Sequence, residues 1–213
     1  FYSGPGVIDN GDGTYDFDPM LAGLGTHHIE YTFTSTVAPD TIDNGITMED
    51  IENGVLSDAD PGVYTADDFV APTDGVVTTV RWTGAYAVDD TPPATDDFTI
   101  QVYSSVNDSV GNLLYTEIVG DNVNRTLTGG QVIIIDKYEY TATINFPITV
   151  GSTYWLVIYN MTTGEPDDWF WASSVDPNGN AFISEDLEEW TAVSALSTMS
   201  GEQDFSLGLE REG

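Results

Sequence analysis

Cysteine is absent from the 213 residues. That excludes disulfides, thiolate metal sites and cysteine nucleophiles, and it leaves the redox compartment open. Positive charge is nearly absent too: Arg81, Arg125, Lys137 and Arg211 stand against 36 Asp and Glu, a formal charge of −32. A surface of that sign repels nucleic-acid phosphates and anionic lipid, which require clustered Lys and Arg, so nucleic-acid binding is not expected. No run of 18 apolar residues occurs, and no membrane insertion is expected. Histidine is limited to His27 and His28, which as strand neighbours would face opposite ways and could not share a site. No Gly-x-Ser-x-Gly elbow, His-Glu-x-x-His or phosphate-binding loop is present. The carboxylate cluster Glu185-Asp-Leu-Glu-Glu189 lacks the strand-face spacing of a glycosidase pair. The expectation is therefore a protein that is not an enzyme. Phe1 opens the chain without Met or a basic leader, as a mature or excised segment would.

What is present is a β-forming core. Apolar residues make up 40%, and 9 Phe, 11 Tyr and 5 Trp exceed what disordered acidic tails contain. Period-2 alternation recurs. Phe98, Ile100 and Val102 oppose Thr99, Gln101 and Tyr103; Tyr138, Tyr140, Ala142 and Ile144 oppose Lys137, Glu139, Thr141 and Thr143; Phe205, Leu207 and Leu209 share a face near the end. One apolar face per strand means half-buried antiparallel strands. Val76–Tyr86 and Thr153–Asn160 are apolar on both faces, as central strands are. Turn signals such as Asp74-Gly75, Val110-Gly-Asn112, Gly129-Gly130 and Asp176-Pro-Asn-Gly179 separate these runs. The fold class predicted is all-β, an antiparallel, jelly-roll-like sandwich, with no long amphipathic helix. Residues 61–213 form its main domain, 37–60 are a linker or a first strand with a short helical turn at Met48–Glu52, and 1–36 stand apart.

The stretch Tyr2-Ser-Gly-Pro-Gly-Val7, Asp9-Asn-Gly-Asp-Gly-Thr-Tyr-Asp-Phe-Asp-Pro19 and Gly25-Thr-His-His-Ile-Glu-Tyr-Thr32 resembles the end of an immunoglobulin-like repeat in Bacteroidetes surface adhesins and gliding-associated proteins. The resemblance covers residues 1–36. It implies a partial Ig-like repeat and an extracellular, cell-surface setting, with neighbouring repeats or subunits of the same protein as partners. Asp67-Asp-Phe-Val-Ala-Pro72, Val80-Arg-Trp-Thr-Gly84, Tyr154-Trp-Leu-Val-Ile158 and Asp167-Asp-Trp-Phe-Trp171 look like a β-sandwich module of secreted bacterial proteins, over roughly 67–209. That second resemblance implies fold and setting, not an activity.

Three kinds of site are candidates. Hard cations take six to eight oxygen ligands, so the vicinal pairs Asp67-Asp68, Asp89-Asp90, Asp96-Asp97 and Asp167-Asp168 are candidate Ca²⁺ ligands whose mutual repulsion a cation would relieve. Asp9-Asn-Gly-Asp12 offers similar atoms but also fits a tight hairpin turn, which Asp-Gly and Asn-Gly favour. Trp169, Trp171 and Trp190 lie beside acidic turns and are candidate stacking platforms for a surface polysaccharide. Trp169 and Trp171 share one strand face, which could as well be core. Asp40-Thr41-Ile42 and Asp108-Ser109-Val110 match the Asp-Ser/Thr-apolar pattern that resembles Bacteroidetes O-glycosylation, with Thr41 and Ser109 as acceptors. The leading expectation is a non-enzymatic extracellular β-sandwich module of an adhesin or gliding-associated protein, with Ca²⁺ as a candidate stabilising ion. The alternatives are a filament subunit assembled by strand complementation and a carbohydrate-binding module.

Overall fold

Short-range turn chemistry organises the beginning of the chain. In the computed structural model, which describes residues 2–12, 14–31, 40–43, 45, 49, 53–87, 92–163, 167–174, 181–193 and 207–212, two units separate, Phe1–Ala38 and Pro39–Gly213. The first holds β1 (Tyr2–Ser3), β2 (Val7–Asp9), β3 (Tyr15–Phe17), one helical turn α1 (Pro19–Ala22) and β4 (Glu30–Tyr31). β2 and β3 form a hairpin, and β1 pairs with β4. The Asp9 carboxylate accepts the Gly11 N–H at 2.8 Å, and Asp12 accepts the Thr14 N–H at 3.0 Å and its hydroxyl at 2.6 Å. The turn reading of Asp9–Asp12 is thus the one realised. Asp18 caps α1 by accepting the Met20 N–H at 2.7 Å, and Pro19 supplies the preset φ of a first helical residue. At Gly6 (φ 83°) a Cβ would stand 2.7 Å from the Asp18 carbonyl oxygen, so only glycine fits. His27 and His28 lie in an unpaired stretch before β4 rather than on a strand. No described side chain of this unit is buried; Met20 is 90% exposed and Leu24 wholly so.

The second unit is an antiparallel β-sandwich. Residues 37–60, expected as a linker or first strand, supply β5 (Asp40–Asp43) and β6 (Gly54–Leu56). The helical turn expected at Met48–Glu52 falls outside the described residues apart from Glu49, and so does Phe205. The strands that follow are β7 (Tyr64–Val70), β8 (Gly75–Tyr86), β9 (Phe98–Val106), β10 (Ser109–Gly120), β11 (Asn124–Val132), β12 (Ile135–Ile148), β13 (Thr153–Asn160), β14 (Trp169–Ala172), β15 (Ala181–Ser184), β16 (Thr191–Ala192) and β17 (Leu207–Glu212). One sheet runs β10-β9-β13-β7-β15-β16. The other runs β11-β12-β8-β14-β6, with β17 bridging β8 and β5. The chain crosses between sheets at β6 to β7, β7 to β8, β8 to β9, β10 to β11, at each step from β12 to β15, and at β16 to β17. No described helix is long and apolar enough to cross a membrane.

The core lies between the sheets, where the alternating residues point: Phe98, Ile100, Val102, Tyr140, Ala142 and Ile144 are buried together. Phe98 of one sheet meets Trp169 and Tyr140 of the other edge-on, at 5.1 and 5.0 Å, and Trp82 stacks on Tyr140 at 5.5 Å. The polar face of β9 is buried as well. The loop 185–190 packs Leu187 and Trp190 on the outside of that sheet, with Trp190 edge-on to Tyr103 at 5.8 Å, and Phe182 of β15 lies edge-on to Trp155 on the same outer face at 5.0 Å. This second, outer cluster explains why β13 is apolar on both faces. Lys137, expected on a solvent face, is fully buried and donates to the Glu49 carbonyl.

Candidate functional site

The buried polar groups converge at one end of the sandwich, where β9 begins, β13 ends and β14 begins. Asp58 is 1% exposed. Its Oδ1 accepts the Asp60 N–H at 3.0 Å, and its Oδ2 accepts the Trp169 N–H at 3.1 Å and the Asn160 amide at 3.2 Å. Asn160, also wholly buried, accepts the Asp97 N–H at 3.3 Å, and the Asp97 carbonyl accepts the Met161 N–H at 2.7 Å. These bonds tie the segment before β7 to the ends of β13, β9 and β14, across more than a hundred residues of sequence. Burial lifts the Asp58 carboxyl to about 6, against the pull of its hydrogen bonds, and Asp167 pushes it the same way.

Beside it, Asp96 accepts the Tyr86 hydroxyl at 2.6 Å and Arg125 Nη1 at 2.8 Å, while Arg125 Nη2 donates to the Pro93 carbonyl at 3.0 Å. The guanidinium also lies 5.7 Å from the Tyr138 ring centre, within cation–π range. The Asp121 carboxylate accepts the Asp96 N–H at 2.9 Å and fixes the loop. Burial raises Asp96, with Tyr86 and Arg125 opposing that rise; burial likewise raises the Tyr86 and Tyr140 phenols. The arrangement is a polar clamp in which Asp58 and Asp96 accept from protein donors.

The expected calcium ligands therefore divide. Asp67 and Asp68 are successive residues of β7, so Asp67 is buried on the Phe69 face while Asp68 points to the other, half-buried. They cannot chelate one ion together, and that expectation is corrected. At Asp96-Asp97 the repulsion expected to call for a cation is met at Asp96 by Arg125. Asp167 is half-buried near Asp58, and Asp168 is exposed. Asp89-Asp90 lie outside the described residues. Among the described residues no group of three or more His, Asp or Glu is placed to hold a metal ion.

The sugar platform is corrected more sharply. Trp169 and Trp171 are 0% exposed, so neither has a face for a sugar ring. Trp190 is half-buried against Tyr103. Next to it in sequence, Glu185, Asp186 and Glu189 line an open cavity of about 320 Å³ with Val63, Ile183, Ser184 and Thr191. Asp186 is held by the Glu189 and Glu188 N–H groups, each at 2.9 Å, which lower its pKa and make it a loop brace. Thr41 is exposed on β5. Ser109 is half-buried where β10 leaves the turn at Asn107 and Asp108, both of positive φ.

Sequence reasoning misses Asp58, Asn160, Arg125 and Tyr86. Asp58 falls within the expected linker and Asn160 within an expected strand; the Asp-Pro turn at Asp60-Pro61 is the one local hint that its neighbourhood is a fixed corner.

The Asp58 carboxyl makes stability depend on pH. Its folded value, about 6, lies above the ordinary 3.8, so the folded state holds its proton more tightly than the unfolded chain does. The resulting penalty is complete well above pH 6, falls as pH drops through that value and is gone below about 4; it amounts to about 3 kcal/mol. Wild-type unfolding free energy is expected to rise between pH 7 and 4.5 by more than that of Asp58→Asn. Equal rises in urea titrations of the two proteins would remove Asp58 as the source.

No protein-family model matches the chain, and no curated protein matches it.

Proposed function

We propose that the chain is a non-catalytic section of an extracellular bacterial surface protein of the adhesin or gliding-associated kind. The sandwich serves as a rigid module, and residues 1–38 join it to further β structure of the same assembly. The observation that carries this reading is that residues 2–31 include no buried described side chain, while Tyr2, Phe17, Met20, Leu21, Leu24 and Ile29 are exposed. Two-stranded pairs of this size are marginal alone and gain stability by packing against a neighbour. The resemblance of residues 1–36 to the end of an Ig-like repeat supports the same reading. Calcium enters it as a screening ion for a surface of net charge −32.

Antibody raised against the sandwich should label intact source cells, and labelling only after lysis would overturn the surface assignment. Digestion tests the modular part. Trypsin should leave the sandwich whole for hours, because Arg81, Arg125, Lys137 and Arg211 all lie within strands. Thermolysin should cut the first unit near Leu21 and Leu24 within minutes. Equal resistance of both units would show that the first is self-sufficient, and identical rates in chelator and in millimolar Ca²⁺ would remove calcium from the reading.

A further inference from the structure

Exposed apolar surface on the sandwich gathers along one side. Of the large hydrophobic residues exposed there, Leu113, Leu114, Ile118, Leu127, Ile133 and Ile134 all fall within residues 109–135, leaving Val70, Val106, Val150 and Met161 elsewhere. Both sheets end on this side. Among the described residues β10 pairs with β9 alone and β11 with β12 alone. β10 and β12 face each other across the core, with Tyr115 beside Phe146 at 5.7 Å and the Tyr115 hydroxyl accepting the Asn145 N–H at 3.1 Å. β11 pairs with the earlier part of β12, from Ile135 to Thr141, so the two free edges follow one another along this side. Leu127 sits opposite Tyr138, on the strand face that Tyr140 buries, yet stays 54% exposed. The mouth between the sheets is open there.

Charge singles out the same side. Residues 109–135 carry two acids, Glu117 and Asp121, against Arg125, a net −1 in a chain of −32. Edge strands are ordinarily protected by Lys, Pro, inward charge or bulges, and of these β10 has only bulges. β10 and β11 contain no Lys and no Pro, and the charge of Arg125 is spent on Asp96. Turn chemistry departs from the ordinary here as well. Ile133 and Ile134 form the two-residue turn between β11 and β12, where Asn-Gly is the usual choice. Ile133 is held at φ 61°, a conformation disfavoured for a β-branched residue, and the two isoleucines are 63% and 75% exposed. Strain retained at an exposed apolar tip points to a contact made by that tip.

We propose that the β10/β11 side is a self-association surface, and that its occupant is the same side of a second copy, in a two-fold dimer. Two bodies of charge −32 repel wherever acidic surfaces meet, so a stretch of net −1, flanked by Asp108 and Asp136, is where copies approach at the lowest electrostatic cost. An isologous contact matches this surface to its own composition and closes at two copies. Bulges limit regular β10 pairing to Tyr115–Ile118, so side-chain contact of the leucines and isoleucines supplies most of the association and edge hydrogen bonds add to it. Salt should strengthen the dimer, because screening weakens the repulsion while leaving apolar contact intact.

Sedimentation of the full chain at about 1–100 μM, in low and in about 0.5 M salt, tests the proposal. A monomer–dimer equilibrium that tightens at least several-fold with salt is expected. Ile118→Lys and Ile134→Lys should each weaken it about tenfold or more; both positions are 75% exposed, so the folded monomer tolerates the change. Leu24→Lys in the first unit should leave it unaltered. Hydrogen exchange gives a variant-free check, with amides of 113–118 and 132–135 slowing as concentration rises. A monomer under all these conditions overturns the proposal. So does association lost with Leu24→Lys but kept with Ile118→Lys, growth beyond two copies, or unchanged exchange at 113–118 and 132–135.

Discussion

Arg125→Ala is expected to cost about 3 kcal/mol at pH 7.5 and distinctly less at pH 5, because the substitution strands a buried carboxylate. The Asp96 side chain is 4% exposed and the Arg125 side chain 21%, with 2.8 Å between Nη1 and Oδ1. Removing the guanidinium leaves Asp96 with the Tyr86 hydroxyl as a donor, the Asp121 carboxylate nearby, and no compensating charge. Burial already holds the Asp96 carboxyl above its ordinary range, and Arg125 is one of the groups restraining that rise, so the variant carries it higher still. A carboxyl raised in the fold regains stability as pH falls through its folded value toward the unfolded one. Wild type and variant should therefore converge on acidification. Arg125→Lys keeps the charge but loses the fork that also reaches the Pro93 carbonyl, and should cost less than Arg125→Ala. The Arg81–Glu139 pair has the same 2.8 Å separation, but Arg81 is 37% exposed, and Arg81→Ala should cost below about 1 kcal/mol. Urea titrations at the two pH values decide the matter. A pH-independent loss, or one no larger than that of Arg81→Ala, would mean that the clamp is not electrostatic.

The contrast between these pairs shows what a sequence discloses and what it does not. Alternation at 98–102 and 138–144 depends on neighbours two residues away, and the inner face of each strand was legible in it. Tyr103 is covered by Trp190, and Thr99 donates its hydroxyl to the Met161 sulfur at 3.2 Å; nothing near either residue in the sequence announces these partners. Asp58 likewise looks like any turn aspartate. Its partners Asn160 and Trp169 lie 102 and 111 positions away, so its burial is a property of the closed sandwich. Asp67 and Asp68 misled for a geometric reason: density of charge along a chain suggests a cation, but a strand sends successive carboxylates to opposite faces. The aromatic pair Trp169 and Trp171 was correctly placed on one face. Which face is inward is fixed by β8 and β6 on either side of β14, and one strand cannot reveal it.

Trp169→Ala should cost about 4 kcal/mol and leave any polysaccharide retention unchanged, since the indole is core. Its ring contacts Phe98 across the sheets at 5.1 Å and lies edge-on to Tyr140 at 6.0 Å, so truncation opens a hole where the two sheets are pinned together. Gly84 makes that packing possible. A Cβ at position 84 would fall 2.3 Å from Trp169 Cζ2 and 2.5 Å from the Phe170 carbonyl oxygen. The ring could swing only into a filled core, and the carbonyl belongs to β14, which pairs with β8 at this point and cannot withdraw without breaking the ladder. Gly84→Ala should therefore cost about 3 kcal/mol by overpacking, although alanine is usually a mild replacement. The two losses should not add. In the double variant the new methyl enters space vacated by the indole, which removes the clash with the ring and leaves the clash with the carbonyl. The combined cost should fall short of the sum by about 1–2 kcal/mol. Urea unfolding of the three variants measures this directly. Strict additivity would mean that the added methyl is accommodated by backbone movement away from Trp169, and that Gly84 is not there to make room for the ring.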